Sequence, residues 1–273
     1  MMANQIQEIE IRNLWGKFNY KWALNPDVNI LAGLNGSGKS SVLQIIDAVF
    51  AKEPKRLKEF GVKGFIKGSD FIFSFNKSKP IEGWAKRNFI NISHFNIPLQ
   101  DRKYIKDNAS LLDVELDSLI FTRHPGRDSF HNQHTDAKKS PESSGRFDQR
   151  IKVMFETINH LFDRSGKKLL IDPTTDTISI LRGKDQLLFS QLSSGEKQLL
   201  IILFQVFLLN EEPSILLLDE PENSLHIEWQ NQLIDVIRKL NPNSQLIIST
   251  HSPSIFGDGW GDKLFFLEDM TLD

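Results

Sequence analysis

The chain has 273 residues, 40% of them hydrophobic, no cysteine and a formal net charge of −2. That length and apolar content support a real core, in one large domain or two small ones. The composition excludes a global electrostatic pull toward nucleic acid, disulfides or thiolate chemistry, and a membrane-spanning run of 18 uncharged apolar residues. The opening MMANQIQEIE is polar and acidic and does not read as a signal peptide, so a cytoplasmic setting without membrane insertion is expected.

In chain order, QIQEIEIRNLW predicts an opening strand, because Ile9 and Ile11 alternate with charged neighbours. NYKWAL pairs with it as a hairpin strand, and Val28 to Ala32 is a mostly apolar third strand. GLNGSGKS follows at Gly33 to Ser40 and leads into a helix, SVLQIIDAVF, ending near Ala51. A strand, a Gly-rich loop and a helix in that order form a phosphate cradle, in which loop N–H groups and the helix N-terminus face one anion. Lys39 would reach the β- and γ-phosphates of a nucleotide, and the Ser40 hydroxyl would bind Mg²⁺.

From Lys52 to Arg87 there are ten Lys or Arg against four Asp or Glu. A solvated, loop-rich surface and a contact to a phosphate backbone both account for this excess. Phe65 to Phe75 reads as a strand pair with Phe71, Phe73 and Phe75 on one face, and Arg87 to Ile97 as another strand. From His124 to Gln149 the composition turns polar, which predicts a mobile loop. His124, His131 and His134 match no closed metal-site spacing and read as exposed loop histidines. Arg150 to Leu161 has helical spacing, and LLIDPTTDTISIL is a hairpin turning over Pro173 to Asp176.

LSSGEKQ places Ser193, Ser194 and Gly195 at the N-terminus of an apolar helix, Glu196 to Leu209. That is a second anion-binding end, unless the serine is simply a cap. One nucleotide does not easily occupy two such ends of one chain. A two-fold dimer resolves this, with each copy's Ser193 end closing on the other's ATP. Ser214 to Leu218 is a buried strand ending at Asp219 and Glu220. Carboxylates at that edge suit Mg²⁺ at Asp219 and polarisation of the attacking water at Glu220, against the plainer reading of an acidic turn. A helix spans Ile227 to Leu240, and short strands span Gln245 to Thr250 and Lys263 to Glu268. His251, just after the first of these, is placed to hydrogen-bond a γ-phosphate.

Together these residues resemble the ABC-type ATPase heads of the SMC, RecF and OLD-like group. The segment Gly33 to Ser41, with Asn35, is similar to that group's Walker A. The resemblance assigns Asn35, Gly36, Ser37, Gly38, Lys39, Ser40 and Ser41 to the nucleotide. Asp219 and Glu220 match Walker B and its catalytic glutamate, Leu192 to Gln198 the signature, and His251 the switch histidine. Glu222 to His226, with Trp229 and Gln230, resembles the turn that follows Walker B in OLD-like proteins. The resemblance also implies that Arg12 and Asn13 lie near the nucleotide and that Gln100 is a candidate Q-loop metal ligand.

The implied fold is an α/β P-loop NTPase of ABC type: a mixed sheet flanked by helices, an N-terminal antiparallel β subdomain and a short helical lobe. Residues 1–100 and 186–273 would form the head, and 101–185 the lobe, with 124–149 mobile. The implied function is an ATP- and Mg²⁺-dependent ATPase that dimerises on ATP and switches a separate effector, such as a nuclease, in DNA repair or anti-phage defence. The lysine-rich stretch keeps DNA as a possible partner. No nuclease domain is expected after residue 273, and 101–185 is too short for a long coiled coil. The rival readings are an ATPase subunit of a membrane transporter and a nucleotide-dependent scaffold with little turnover.

Overall fold

The computed structural model describes residues 5–75, 88–93, 109–121, 128–172, 177–257 and 259–272. Gln100 and the Pro173–Asp176 turn lie outside these residues. The chain forms two compact units: residues 1–94, 212–222 and 243–273, and residues 95–211 and 223–242.

The first unit holds two sheets. Strands β1 (Ile6–Leu14) and β2 (Phe18–Ala23) form the expected hairpin, and β4 (Lys63–Gly68) and β5 (Ile72–Ser74) extend it antiparallel in the order β2-β1-β4-β5. Ile9 and Ile11 face inward while Glu8, Glu10 and Arg12 alternate outward. The second sheet is parallel in each of its pairings. Its order is β12-β3-β11-β10-β6, from β12 (Leu264–Phe266), β3 (Val28–Ala32), β11 (Ser244–Ser249), β10 (Ser214–Asp219) and β6 (Asn88–Ser93). The sheets thus divide the mixed character between them, one antiparallel and one parallel. All five residues of β3 are buried, as befits a parallel strand covered on both faces.

Helix α1 (Lys39–Phe50) supplies Ile45 and Ile46 to a core shared with Ile9, Ile66, Leu217 and Ile247. Burying such side chains contributes about 2 kcal/mol each. One glutamine joins the sheets. Buried Gln245 on β11 accepts from the Ile6 N–H at 2.8 Å and donates to the carbonyls of Ile6 (2.8 Å) and Asn25 (2.7 Å). A short helix not expected from sequence, α2 (Pro54–Phe60), starts with Pro54 in its first turn and stops at Gly61. Its Arg56 donates to the buried Asp47 of α1 at 2.7 Å.

The second unit contains α3 (Leu111–Phe121), α4 (Phe130–Ala137), α5 (Pro141–Leu161), α6 (Ser194–Leu208) and α7 (Ile227–Leu240), with the antiparallel sheet β7 (Lys167–Asp172), β8 (Thr177–Arg182) and β9 (Asp185–Leu187). Three expectations are corrected here. Within 124–149 the described residues are largely helical rather than loop, because Ser129 and Ser140 cap α4 and α5 with side-chain bonds to Asn132 and Ser143 N–H groups. His134 is buried, not exposed; it stacks on Phe147 in an aromatic cluster around Phe130. The division at 185 also differs, since α6 packs with α3, α4 and α5 and belongs to this unit.

Candidate active site

The phosphate loop, Walker B residues and histidine turn all lie in the first unit. The loop bends through Gly36 (φ +80°) and Gly38 (φ +111°), backbone conformations that L side chains rarely adopt. At Gly38 a Cβ would meet Leu14 at 3.2 Å and Trp15 at 3.7 Å, so the β1–β2 turn packs directly on the loop. Gly38 caps α1 with no side-chain bond, leaving the helix's first N–H groups for a ligand.

Lys39 is buried, and its ammonium donates to the Gly33 and Leu34 carbonyls, both at 3.1 Å. Burial holds its pKa below the usual lysine range, outweighing the opposing pull of Glu220, Glu268, Asp219 and Glu222. Tyr20 braces the loop from β2, its hydroxyl donating to the Ser37 carbonyl at 2.8 Å. The Ser37 hydroxyl oxygen is buried with no hydrogen-bond partner among the described residues. Such a group costs free energy unless a ligand satisfies it.

At the edge of the parallel sheet, the Ser40 hydroxyl donates to Asp219 Oδ1 at 3.0 Å, and the Ser249 hydroxyl donates to the same oxygen. Hard oxygen donors from a loop serine and an aspartate suit Mg²⁺. A cradle of left-handed glycines, a buried cation, an orphan hydroxyl and this oxygen pair fit a nucleotide triphosphate with its metal. Glu220 follows with φ +48°, an uncommon backbone for a side-chain-bearing residue, fixed by its N–H donating to the Ser249 carbonyl at 2.9 Å. His251 Nε2 lies 3.2 Å from Glu220 Oε1. Glu222 organises the histidine turn by accepting from Thr250 Oγ1 and the His251 N–H, both at 2.7 Å, and from the Ser252 N–H at 3.2 Å.

The structure gives Arg12 and Asn13 other partners. Arg12 pairs with Glu10 at 2.7 Å, and Asn13 donates to Asn19 Oδ1 and the Gly61 carbonyl. From that turn Leu14 and Trp15 reach the loop at Gly38. Ser249, Glu222 as the brace of the histidine turn, and Tyr20 were not expected. A hydroxyl at a strand end beside Walker B was the available signal for Ser249; the other two are long-range contacts.

The signature lies in the second unit. Ser193 caps α6 in a reciprocal box: its hydroxyl accepts from the Glu196 N–H at 3.3 Å, and Glu196 accepts from the Ser193 N–H at 2.8 Å. Lys167 donates to both Glu196 oxygens, at 2.7 and 2.8 Å. Burial raises the Glu196 pKa, but Lys167 and Ser193 together bring it below the usual carboxylate range. Ser193 and Ser194 remain exposed. Gly195 is required where it stands, because a Cβ would lie 2.3 Å from the Ser224 carbonyl oxygen.

These features define a P-loop ATPase head. The family described as "AAA domain, putative AbiEii toxin, Type IV TA system" matches residues 123–257. The chain is 22% identical over 285 residues to the Septu protein PtuA of Bacillus thuringiensis, an alignment covering 91% of this chain and 72% of that one. It is 33% identical over 131 residues to the retron Vc95 probable ATPase of Vibrio cholerae serotype O1 biovar El Tor, covering 44% of this chain and 25% of that one. Its fold is similar to that in a crystal structure of an SMC head bound to the C-winged helix domain of ScpA. The TM-score is 0.55 at 16% identity, over 93% of this chain and 91% of that one. The chain thus has the fold of an SMC head and sequence similarity to a Septu protein and to retron ATPases.

Proposed function

We propose that the chain binds ATP with Mg²⁺, hydrolyses it to ADP and phosphate, and works as a dimerising switch in anti-phage defence. The observation that carries this reading is the convergence of Lys39, the Ser40–Asp219–Ser249 cluster and the Glu220–His251 pair around one loop. Lys39 would hold the β- and γ-phosphates, and Ser40 and Asp219 would hold Mg²⁺, which would supply charge neutralisation at the transferred group. Glu220 orients and deprotonates the attacking water, while His251 positions Glu220 and faces the γ-phosphate.

The exposed serines of the signature favour a ligand supplied by a second copy, with Ser193, Ser194 and Gly195 closing on that copy's nucleotide. Closure then follows the tighter binding of ATP by the closed form. Likeness to a Septu protein and to retron ATPases supports a defence role with a separate effector, such as a nuclease. DNA repair is the neighbouring reading, with the exposed Lys52, Lys55, Lys58, Lys63 and Lys67 as the candidate contact. The chain is also 25% identical to an uncharacterized ABC transporter ATP-binding protein, YmeB, of Lactococcus lactis, which favours a transporter as the second reading. Among the described residues no helix is long and apolar enough to cross a membrane, so that reading requires separate membrane subunits.

The test is Glu220→Gln. It lowers phosphate release by about 10²- to 10⁴-fold while ATP binding persists, and ATP shifts the variant from monomer to dimer on gel filtration. A variant that stays monomeric with saturating ATP removes the dimer switch. Copurification from the native host with a membrane protein, in place of a soluble effector, selects the transporter.

A further inference from the structure

The Walker motifs leave one acidic residue at the phosphate loop without a role. Glu268 follows β12 in a short 3₁₀ turn, and its Oε1 accepts from the Leu34 N–H at 2.8 Å. The carboxylate lies so close to Gly33 that a Cβ there would stand 2.8 and 2.9 Å from its oxygens. The segment around it is itself anchored. β12 pairs with β3, Thr271 bridges to Tyr20, and the Leu272 N–H donates to the Asn19 carbonyl at 2.9 Å. Tyr20 in turn donates to the Ser37 carbonyl. One end of the loop is therefore held by Glu268 and its middle by Tyr20, and these two holds are linked through one segment.

The loop's internal hold comes from Lys39, whose ammonium bonds to the Gly33 and Leu34 carbonyls. Lys39 loses that geometry when it turns to phosphate. A Gly-rich loop released in this way regains conformational freedom, and restoring order weakens binding. An external brace that does not depend on Lys39 removes this cost.

Resting on the ATP-binding reading above, we propose that Glu268 is a positioning residue for the nucleotide. It keeps the Gly33–Leu34 peptide in place while Lys39 leaves it for the phosphates, with Tyr20 holding the loop's other side. Glu268 acts through the backbone and not by touching the ligand, so an acceptor at this position matters more than a charge.

The experiment compares Glu268→Ala with Glu268→Gln, whose amide oxygen still accepts from Leu34. Two readouts are used: titration with a fluorescent N-methylanthraniloyl ATP in Mg²⁺, and amide exchange at Leu34 without nucleotide. Glu268→Ala is expected to weaken binding about 10-fold and to speed Leu34 exchange. Glu268→Gln stays within about threefold of wild type in both readouts. Tyr20→Phe, which removes only the hydroxyl, weakens binding by about threefold to 10-fold, and it decides the matter if Glu268→Ala does not fold. Wild-type binding that Glu268→Ala leaves within twofold, or an equal loss in Glu268→Gln, overturns this inference alone. With a poorly folding Glu268→Ala, unchanged affinity in Tyr20→Phe overturns it. A wild-type protein that binds no nucleotide sinks the ATP reading and this inference together.

Discussion

The chain carries two helix N-termini suited to anions, and they are built in opposite ways. The α1 end is assembled from distant segments. Tyr20, Asp219, Ser249 and Glu268 reach it from four other stretches of the first unit, and a buried ammonium sits among carboxylates. The α6 end is nearly self-contained. Ser193 and Glu196 satisfy each other within one turn, Lys167 locks the carboxylate, and the serines stay exposed. The first arrangement carries the desolvation cost of a buried ammonium, which the proposed triphosphate would offset. The second is stable by itself and presents an accessible face. On the proposed reading, function at the first end is coupled against stability, while at the second the same residues would serve both.

Lys39→Met separates these properties most strongly. Loss of a charge-assisted contact to phosphate lowers ATP affinity about 100-fold. The lowered pKa of Lys39 means that its charged form costs the fold stability below that pKa. At neutral pH the variant therefore melts no lower than wild type. A clear fall in melting temperature accompanied by retained ATP binding contradicts the contrast.

At the other end, Glu196→Gln should cost stability outright, about 2 kcal/mol at pH 7, because it weakens the charge-assisted hydrogen bonds from Lys167. Its pH dependence has a definite sign. A carboxylate with a depressed folded pKa contributes stability above its ordinary pKa of about 4.3, and loses it as pH falls through the lower folded value. Urea unfolding of wild type and variant should therefore differ fully at pH 7 and converge in acid. A gap independent of pH would assign the loss to packing instead.

The smallest effect belongs to Ser193→Ala, about 1 kcal/mol from the lost cap. Under the dimer reading it also reduces ATP turnover at low protein concentration more than at high. Turnover that scales with concentration as in wild type leaves Ser193 a cap alone.

Much of this was legible in the sequence, for a physical reason. The Walker A loop, β3 and α1 combine an apolar run, obligatory glycines and a helix pattern within one short segment, so local chemistry specifies them. Asp219, Glu220 and Ser193 were found in the same way, at the ends of strongly apolar elements. The helix α4 and the first half of α5 escaped because their polar stretch buries little: Phe130, His134 and Ala137 in one, and Phe147 alone in the first half of the other. The caps Ser129 and Ser140, with Pro141 in the first turn, were the overlooked signals. Glu268 and Tyr20 left no local trace. Their roles depend on pairings between segments far apart in the chain, which one sequence does not display.

Gln245 carries a consequence of its own. A single amide seated in the parallel sheet holds Ile6 of β1 and the Asn25 carbonyl, and its two bonds to Ile6 are buried. Pulling the sheets apart would strand donors and acceptors on both sides at once. The first unit therefore gains a keystone: the antiparallel layer, which carries Tyr20 and the Trp15 turn, cannot peel away and leave an intact nucleotide floor behind.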